Sequence, residues 1–323
     1  MNYLTIKRIN DAAFAESTMG KKVNQFHSQI SDADLRILRI FRTVVECGGF
    51  SAAEVELNIS RAAISIAISD LETRLGFRLC QRGRSGFSLT NEGSQVYDYT
   101  LQLLSSIEDF RTNINALHQH LKGELNIGIT DNLVTLPHTR ITRTLASLKD
   151  KGPHVTINIR MIPPTDIERG VLDGRLHVGI VPDLKILSGL DYHLLYEETS
   201  KLYCSDTHPL FTIADQTFSK AKLKEFDAVL PAYAQTPEIK AQHQPLTASA
   251  TATDREGIAF LILTGRYIGF LPDHVAERWI RDGRMRAILP EQCHYITQFS
   301  AITRKGARAN LILETFLKEL EKT

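Results

Sequence analysis

Residues 57–76, LNISRAAISIAISDLETRLG, carry the side chains best suited to recognition chemistry. The stretch predicts a helix with Ser60 as its N-cap and Arg61 in its first turn. The positive end of the helix dipole disfavours a cation there by about 0.3–1 kcal/mol, unless something negative lies nearby. Arginine can donate to guanine O6 and N7, serine can contact phosphate or bases, and Ala62 can meet a thymine methyl group. Arg61 is therefore either a surface residue of a core helix or a contact to nucleic acid.

The elements around this helix favour the second alternative. Its apolar residues form one stripe: Ala63, Ile64, Ala67, Ile68, Leu71 and Leu75. A shorter helix precedes it, because Ser51 and Glu54 have the spacing of a capping box with Ser51 at the N-cap. Two short helices joined by a tight turn, the second with a small and polar exposed face, predict a helix-turn-helix.

The next segment, RLCQRGRSGFSLT, predicts a β-hairpin with a basic, glycine-rich tip. Between Arg61 and Arg84 there are five arginines and two acidic residues, although the whole chain has a net charge of +1. Localised positive charge on a helix and a hairpin wing is typical of winged helices that contact a duplex. The residues expected to contact DNA are Ser51, Ser60, Arg61, Ala62, Ser65, Arg82 and Arg84.

Thr90 is expected to cap a long helix with an apolar seam. The seam residues are spaced by 4, 3, 4, 3 and 4 positions: Leu103, Ile107, Phe110, Ile114, Leu117 and Leu121. This a/d pattern needs a facing surface. The pattern favours dimerisation through a partner helix, and packing on the next domain of the same chain is the alternative.

From Gly123 onwards, short β-rich runs such as GELNIGI and HVGIV alternate with helical patterns. Alternation of this kind predicts an α/β domain with a largely parallel sheet. About 200 residues are enough for two small lobes.

The chain of 323 residues contains none of the motifs GxGxxG after its first strand, P-loop, GxSxG or HExxH. Its four cysteines, Cys47, Cys80, Cys204 and Cys293, are scattered, which fits a reducing compartment and argues against a zinc site. No apolar run reaches the roughly 18–20 residues of a membrane span, and the N-terminus lacks the apolar region of a secretory signal. The expectation is a cytoplasmic protein that is not an enzyme, with no cofactor, metal or membrane partner.

The segment from Asp34 to Gly93 resembles a known protein family. It begins with DLRILRIFRTVVECGGFSAAEVELNISRAAISIAISDLETRLG and later contains SLT. This segment is similar, nearly position for position, to the winged helix-turn-helix of the LysR-type transcriptional regulators. The phrases GRLHVGI, HPL and YIGFLPDH stand where the effector domain of that family has comparable phrases. The resemblance runs from about Asp32 to the end of the chain.

The resemblance implies a fold and a function. It implies an N-terminal all-α winged helix-turn-helix with a long linker helix, followed by an α/β, periplasmic-binding-protein-like domain whose two lobes the chain crosses twice. The expected divisions are 1–31 for an N-terminal extension, 32–89 for DNA binding, 90–122 for the linker and 123–323 for effector binding. The first lobe would span about 123–190 and 299–323, and the second about 191–298.

The same resemblance implies partners. A dimer through the linker helix, assembled into a homotetramer, would bind double-stranded operator DNA, and a small molecule between the lobes would change how it bends that DNA. RNA polymerase is a candidate further partner. The rival function is a solute-sensing module without productive DNA binding.

The residues carried over from the family fall into two groups. Of the recognition-helix motif, Ser60 matches, whereas Arg61 and Ala62 depart from the glutamine and proline of the family, so the operator preference is expected to be this chain's own. The effector pocket would include Pro163 and the following residues: Thr130, Asp131, Asn132, Pro164, Thr165, Ala232, Tyr233 and Phe270. Asp131 would oppose an anion, which leaves an amine, a hydroxyl-rich ligand or a proton-linked site; simple helix capping is the alternative.

Overall fold

The computed structural model describes residues 30–83, 86–117, 121–136, 140–306 and 310–322. Its first helix, α1 (Asp32–Glu46), begins with a capping box. The amide and the hydroxyl of Ser31 both donate to Asp34 Oδ2 over 2.7 Å. Arg74 forms an ion pair with the other oxygen of Asp34. Phe41 and Val44 are fully buried, so α1 supplies the centre of the first core. The chain divides into two compact units, Met1–Leu104 and Ser105–Thr323.

The helix-turn-helix consists of α2 (Phe50–Leu57) and α3 (Arg61–Leu75). The prediction of Ser51 as an N-cap is wrong, because Gly49 occupies that position and Ser51 lies inside the helix. Gly49 has a φ of 150°, which glycine adopts without strain, and its carbonyl accepts from the Ala53 amide. The predicted cap of α3 is confirmed, since the Ser60 hydroxyl accepts from the Ala63 amide over 3.3 Å.

The buried face of α3 is narrower than the predicted stripe. Ile64, Ile68 and Leu71 are buried, whereas Ala63 is exposed. The predicted wing is confirmed as an antiparallel hairpin of β1 (Cys80–Gly83) and β2 (Gly86–Leu89). Glu72 fixes this hairpin to α3, because its Oε1 accepts from the amides of Leu79 and Cys80 over 2.8 and 3.2 Å.

The long helix is α4 (Asn91–Leu117), 27 residues, and Thr90 caps it by accepting from the Gly93 amide over 2.8 Å. The helix ends before Leu121, so the predicted extension of the seam to that residue is wrong. Leu121 instead packs, partly buried, against the core of the second unit. Phe110 and Ile114 remain 66% and 43% exposed. The side chain of Leu117 lies outside the described part of the chain.

The second unit is built on one nine-stranded sheet with helices on its faces. Its strands are β3 (Lys122–Ile129), β4 (His154–Met161), β5 (Val178–Pro182), β6 (Leu190–Ser205), β7 (Asp227–Pro231), β8 (Thr247–Ala252), β9 (Ile268–Pro272), β10 (Met285–Ala287) and β11 (His294–Arg304). Its helices are α5 (Arg140–Lys151), α6 (Pro164–Leu172), α7 (Pro237–His243), α8 (Arg255–Leu263), α9 (Asp273–Arg281) and α10 (Leu311–Lys322).

The strand order is β4-β3-β5-β11-β6-β9-β7-β8, with β10 paired to β6. The strands at the two flanks are parallel, as predicted. The centre of the sheet is antiparallel, because β6 and β11 pair antiparallel with each other, β6 with β9 and β11 with β5. These two long strands run from one lobe into the other, so the chain crosses twice between lobes.

The lobes have separate cores. Leu195 and Tyr196 of β6 pack with the first core, around Phe299 and Phe316, whereas Leu202 and Cys204 belong to the second. The first lobe therefore extends further along β6 than the expected boundary near residue 190. Within the described residues, no helix has both the length and the apolar character needed to cross a membrane.

Candidate functional site

The first candidate surface is the N-terminal end of α3. Ser60, Arg61 and Ala62 are exposed there, and Ser65 is half-buried one turn later. The first turn contains no acidic residue. No described residue forms a hydrogen bond or ion pair with Arg61. This guanidinium lies without a counter-charge at the positive end of a helix. It is therefore free to bind a phosphate or the edge of a guanine.

The rest of the predicted DNA surface is only partly described. Ser51 is exposed on the first turn of α2. The backbone of Arg82 lies in β1, but its side chain and the whole of Arg84 lie outside the described residues. Four predicted residues, Ser51, Ser60, Arg61 and Ala62, therefore lie exposed on the helix-turn-helix.

The second candidate site is a cleft of about 270 Å³ within the second unit. Residues at strand ends of both lobes line it. Among the residues predicted from sequence, five lie on its wall, together with Pro163: Thr130, Asp131, Pro164, Tyr233 and Phe270. The cleft therefore forms where β3, β7 and β9 end.

Three predicted lining residues lie elsewhere. Asn132 adopts a left-handed conformation with φ 58°, and its Nδ2 donates to Asp131 Oδ2 over 2.9 Å. Thr165 lies exposed on α6 just after Pro164, and Ala232 is exposed with its amide donating to the Ala252 carbonyl. None of these three residues lines the cleft.

A buried charged group at the cleft was missed from the sequence. Arg255, the first residue of α8, donates through Nη2 to Glu198 Oε1 over 2.8 Å. Nε2 of His274 lies 2.8 Å from the other Glu198 oxygen, and its Nδ1 lies 2.7 Å from the Thr135 hydroxyl. One signal could have identified Arg255, because it follows the capping residue Asp254 just as Arg61 follows Ser60.

Arg255 also holds Asp131 from across the cleft. Its main-chain amide donates to Asp131 Oδ2 over 2.7 Å, and its Nη1 donates to the Asp131 carbonyl over 2.8 Å. The guanidinium carbon lies 5.3 Å from the ring centre of Phe299. Asp131 therefore caps the start of α8, a helix of the other lobe. Helix capping was the alternative role that the sequence left open for this residue. No described residue donates to its second oxygen, Oδ1.

Neutral polar side chains also line the wall. Burial raises the pKa of Tyr233 to about 12, with Arg255 opposing that rise and Asp131 adding to it. Burial also raises the pKa of Tyr295, whose ring centre lies 5.2 Å from that of Phe270. The Thr130 hydroxyl is buried without a hydrogen-bond partner among the described residues.

The described lining residues include three carboxylates, Asp131, Glu198 and Asp254, and one cation, Arg255. Neither in the cleft nor elsewhere do the described residues contain a group of three or more His, Cys, Asp or Glu side chains placed to hold a metal ion. The site can thus bind a small polar molecule through hydrogen bonds and charge.

Comparisons with known proteins decide the family. Residues 35–94 match the model of the bacterial regulatory helix-turn-helix protein, lysR family, and residues 118–323 match that of the LysR substrate binding domain. The chain belongs to the LysR family. A relative from Pseudomonas aeruginosa, the HTH-type transcriptional activator BauR, is 56% identical over 300 residues, covering 93% of this chain and 98% of that protein.

Other LysR-family proteins are more distant. The HTH-type transcriptional regulator CrgA of Neisseria meningitidis serogroup B is 27% identical over 87% of this chain and 93% of its own length. Among solved structures, the LysR family regulator CbnR has a TM-score of 0.64 at 19% identity, over 89% of this chain and 98% of that one. Full-length CbnR complexed with its target DNA has a TM-score of 0.62 at 20% identity, with the same coverage. The CbnR structures share the fold of this chain.

Proposed function

We propose that the protein regulates transcription by binding operator DNA through α3 and the wing, and that a small molecule in the cleft modulates this binding. The single observation that carries the DNA-binding part is Arg61, exposed and without a counter-charge at the capped start of α3. The 56% identical relative BauR is named a transcriptional activator, which supports activation as the direction of regulation.

The position of Arg61 defines how it would contact a duplex. Residues at the start of a recognition helix enter the major groove, while wing residues contact the phosphate backbone. Ser60 and Ala62 flank Arg61 on the same exposed turn. Base readout by this turn and phosphate contacts by the basic wing would together give specificity and affinity.

The cleft supplies the regulatory half of the proposal. It lies between the two lobes, and among the described strands only β6 and β11 join them. A ligand that binds the open and the closed arrangement of the lobes with different affinity would shift the equilibrium between these arrangements. The rival function, a solute-sensing module without DNA binding, has no observation in its favour.

The assembly belongs to the same proposal. Phe110 and Ile114 lie one turn apart on α4 and are exposed apolar residues of the predicted seam, with Leu103 and Ile107 half-buried beside them. An exposed apolar pair on a long helix supports homodimerisation through α4. A homotetramer, contact with RNA polymerase and action in the cytoplasm complete the proposed role.

DNase I footprinting on the intergenic DNA beside its own gene tests the proposal. The full-length protein, in the presence of excess competitor DNA, is expected to protect one or more discrete segments. The Arg61→Ala variant should lose the protection, while Arg281→Ala, an exposed arginine on α9, should retain it. Absence of any protected segment with the wild-type protein would overturn DNA-binding regulation as its function.

A further inference from the structure

The electrostatics of the cleft distinguish between classes of ligand. Of the charged side chains described on its wall, three are carboxylates and one is a guanidinium. That guanidinium, Arg255, already donates to Glu198 and to the Asp131 carbonyl, and only 9% of its side chain is exposed. An anionic ligand would therefore meet uncompensated negative charge without a free cation to pair with.

We propose that the effector is a small organic amine, bound as its ammonium ion between Asp131 and the aromatic side chains of Tyr233, Phe270 and Tyr295. This inference rests on the proposed function, because it names the class of molecule that would modulate DNA binding. Carboxylate oxygens and aromatic faces are the groups that proteins use to bind organic cations.

Asp131 provides the charge. Its Oδ2 is occupied by the Arg255 amide and by Asn132 Nδ2, but no described residue donates to Oδ1. Asp131 is half-buried on the wall of the cleft, so the free oxygen is shielded from bulk water without being fully enclosed. An ammonium N–H at Oδ1 would complete the hydrogen bonding of this carboxylate.

The aromatic residues provide the second contact. Phe270 and Tyr295 lie with ring centres 5.2 Å apart and interplanar angle 43°, and both line the cleft. His243 packs edge-on against Phe270 at 4.9 Å, and burial lowers its pKa to about 4, so the imidazole is neutral and does not repel a cation. His243 therefore adds no positive charge behind the ring of Phe270, and the Arg255 guanidinium, the cation of this wall, is already paired with Glu198.

Thr130 provides an independent sign that a ligand completes the site. Only 4% of this residue is exposed, and its hydroxyl is buried with no hydrogen-bond partner among the described residues. A buried hydroxyl without a partner is costly, and it lies next to Asp131 in the sequence and on the same wall. It can accept a second ammonium N–H or donate to another polar atom of the ligand.

The size of the cleft limits the molecule. At about 270 Å³ it is smaller than the roughly 300–1,000 Å³ of sites for drug-sized ligands. A short aliphatic amine fits this volume.

Matched probes test the class of ligand without knowledge of the natural effector. Butylamine, butan-1-ol and butanoate share a carbon skeleton but are cationic, neutral and anionic at pH 7. Saturation-transfer NMR and thermal unfolding of the full-length protein should detect binding of butylamine, weaker binding of butan-1-ol and none of butanoate. Binding of butanoate in preference to butylamine, or no binding of butylamine up to 50 mM, would overturn the proposal.

Substitutions test the residues. Asp131→Asn should weaken butylamine binding by about tenfold or more while leaving butan-1-ol unchanged, because only the charge is removed. Asp282→Asn, an exposed carboxylate at the end of α9, is the matched control. Should Asp131→Asn fold poorly, Phe270→Leu serves instead, since it keeps an apolar side chain but removes the ring face. Equal butylamine binding by wild type and by either cleft variant would contradict the assignment.

Footprinting of the same protein samples separates the two proposals. If the wild-type protein protects its promoter DNA but does not bind butylamine, the ligand class is wrong and the regulatory function stands. If butylamine binds but no DNA is protected, the proposed function is wrong.

Discussion

The guanidinium of Arg255 donates to Glu198 over 2.8 Å, and the two side chains are only 9% and 3% exposed. Glu198 lies on β6, which passes through both lobes, and Arg255 begins α8 of the second lobe. The same Arg255 binds the carboxylate and the carbonyl of Asp131 at the end of β3. One buried residue therefore connects three segments of the cleft.

Removal of the charge of Glu198 should destabilise the protein strongly. Glu198→Gln keeps the shape of the side chain but leaves Arg255 buried without its counter-charge, which typically costs about 3–5 kcal/mol. Urea unfolding should show this loss. The control is Glu197→Gln, one residue earlier on β6 and exposed, which should change the free energy of unfolding by less than about 0.5 kcal/mol. Equal losses in both variants would show that the Arg255–Glu198 pair has no special role.

Arg61 should determine base preference and not merely general affinity. Arg61→Ala is expected to cost about 1–3 kcal/mol at the operator while changing binding to random duplex DNA much less, because a base contact is lost. Fluorescence anisotropy on both duplexes measures the difference. Arg281→Ala, on α9, should leave both affinities unchanged. An equal loss on the two duplexes would mean that Arg61 contacts only phosphate.

The α4 seam should govern self-association. Phe110→Asp places a charge at a 66% exposed apolar position and is expected to dissociate the dimer in analytical ultracentrifugation. Arg111→Gln is a matched control, because the Arg111 side chain is also 66% exposed and lies next to Phe110 on the helix. If Phe110→Asp kept the dimer mass, this seam would not be the dimer interface.

His243 should make stability dependent on pH. Burial lowers the pKa of His243 to about 4, with the Ile239 carbonyl opposing part of that shift. The unfolded imidazole titrates near pH 6.5, so the unfolded state binds more protons between the two values. The stabilisation is therefore complete above about pH 6.5 and is lost as the pH falls towards 4, by up to about 2 kcal/mol at pH 5.

His243→Phe should flatten this dependence, because a neutral ring would occupy the same place against Phe270. Urea unfolding at pH 7 and pH 5 gives the comparison. His154→Gln replaces an exposed histidine at the start of β4 and should keep the wild-type slope. A His243→Phe variant as sensitive to acid as the wild type would assign the acid loss to other groups.

The sequence predicted those features that depend on neighbouring residues. Ser60 and Thr90 cap helices within three residues of themselves, and the wing pairs strands separated by two residues, so local patterns were sufficient. The cap at Ser51 was misassigned because Gly49, at a positive φ that glycine adopts without strain, begins α2 two residues earlier than predicted. Leu121 continued the heptad spacing, but it lies outside the helix, directly before β3.

The cleft required information that spacing does not contain. Strand ends placed Thr130, Asp131, Tyr233 and Phe270 on its wall, since parallel strands end at one edge of a sheet. Glu198, Arg255 and His274 were missed because they are 57 and 76 positions apart and meet only when β6 lies between the lobes. Burial gives these charges their importance, and burial of single charged residues is not visible in a sequence.

The central claim is that this chain recognises a specific DNA sequence, and a titration of its own promoter duplex against a base-shuffled duplex of the same length tests it most directly. Fluorescence anisotropy across a range of salt concentrations should show at least about a 10³-fold preference for the promoter duplex, with affinity falling linearly in a log–log plot against salt. Equal affinity for the two duplexes, or binding that does not respond to salt, would contradict the claim.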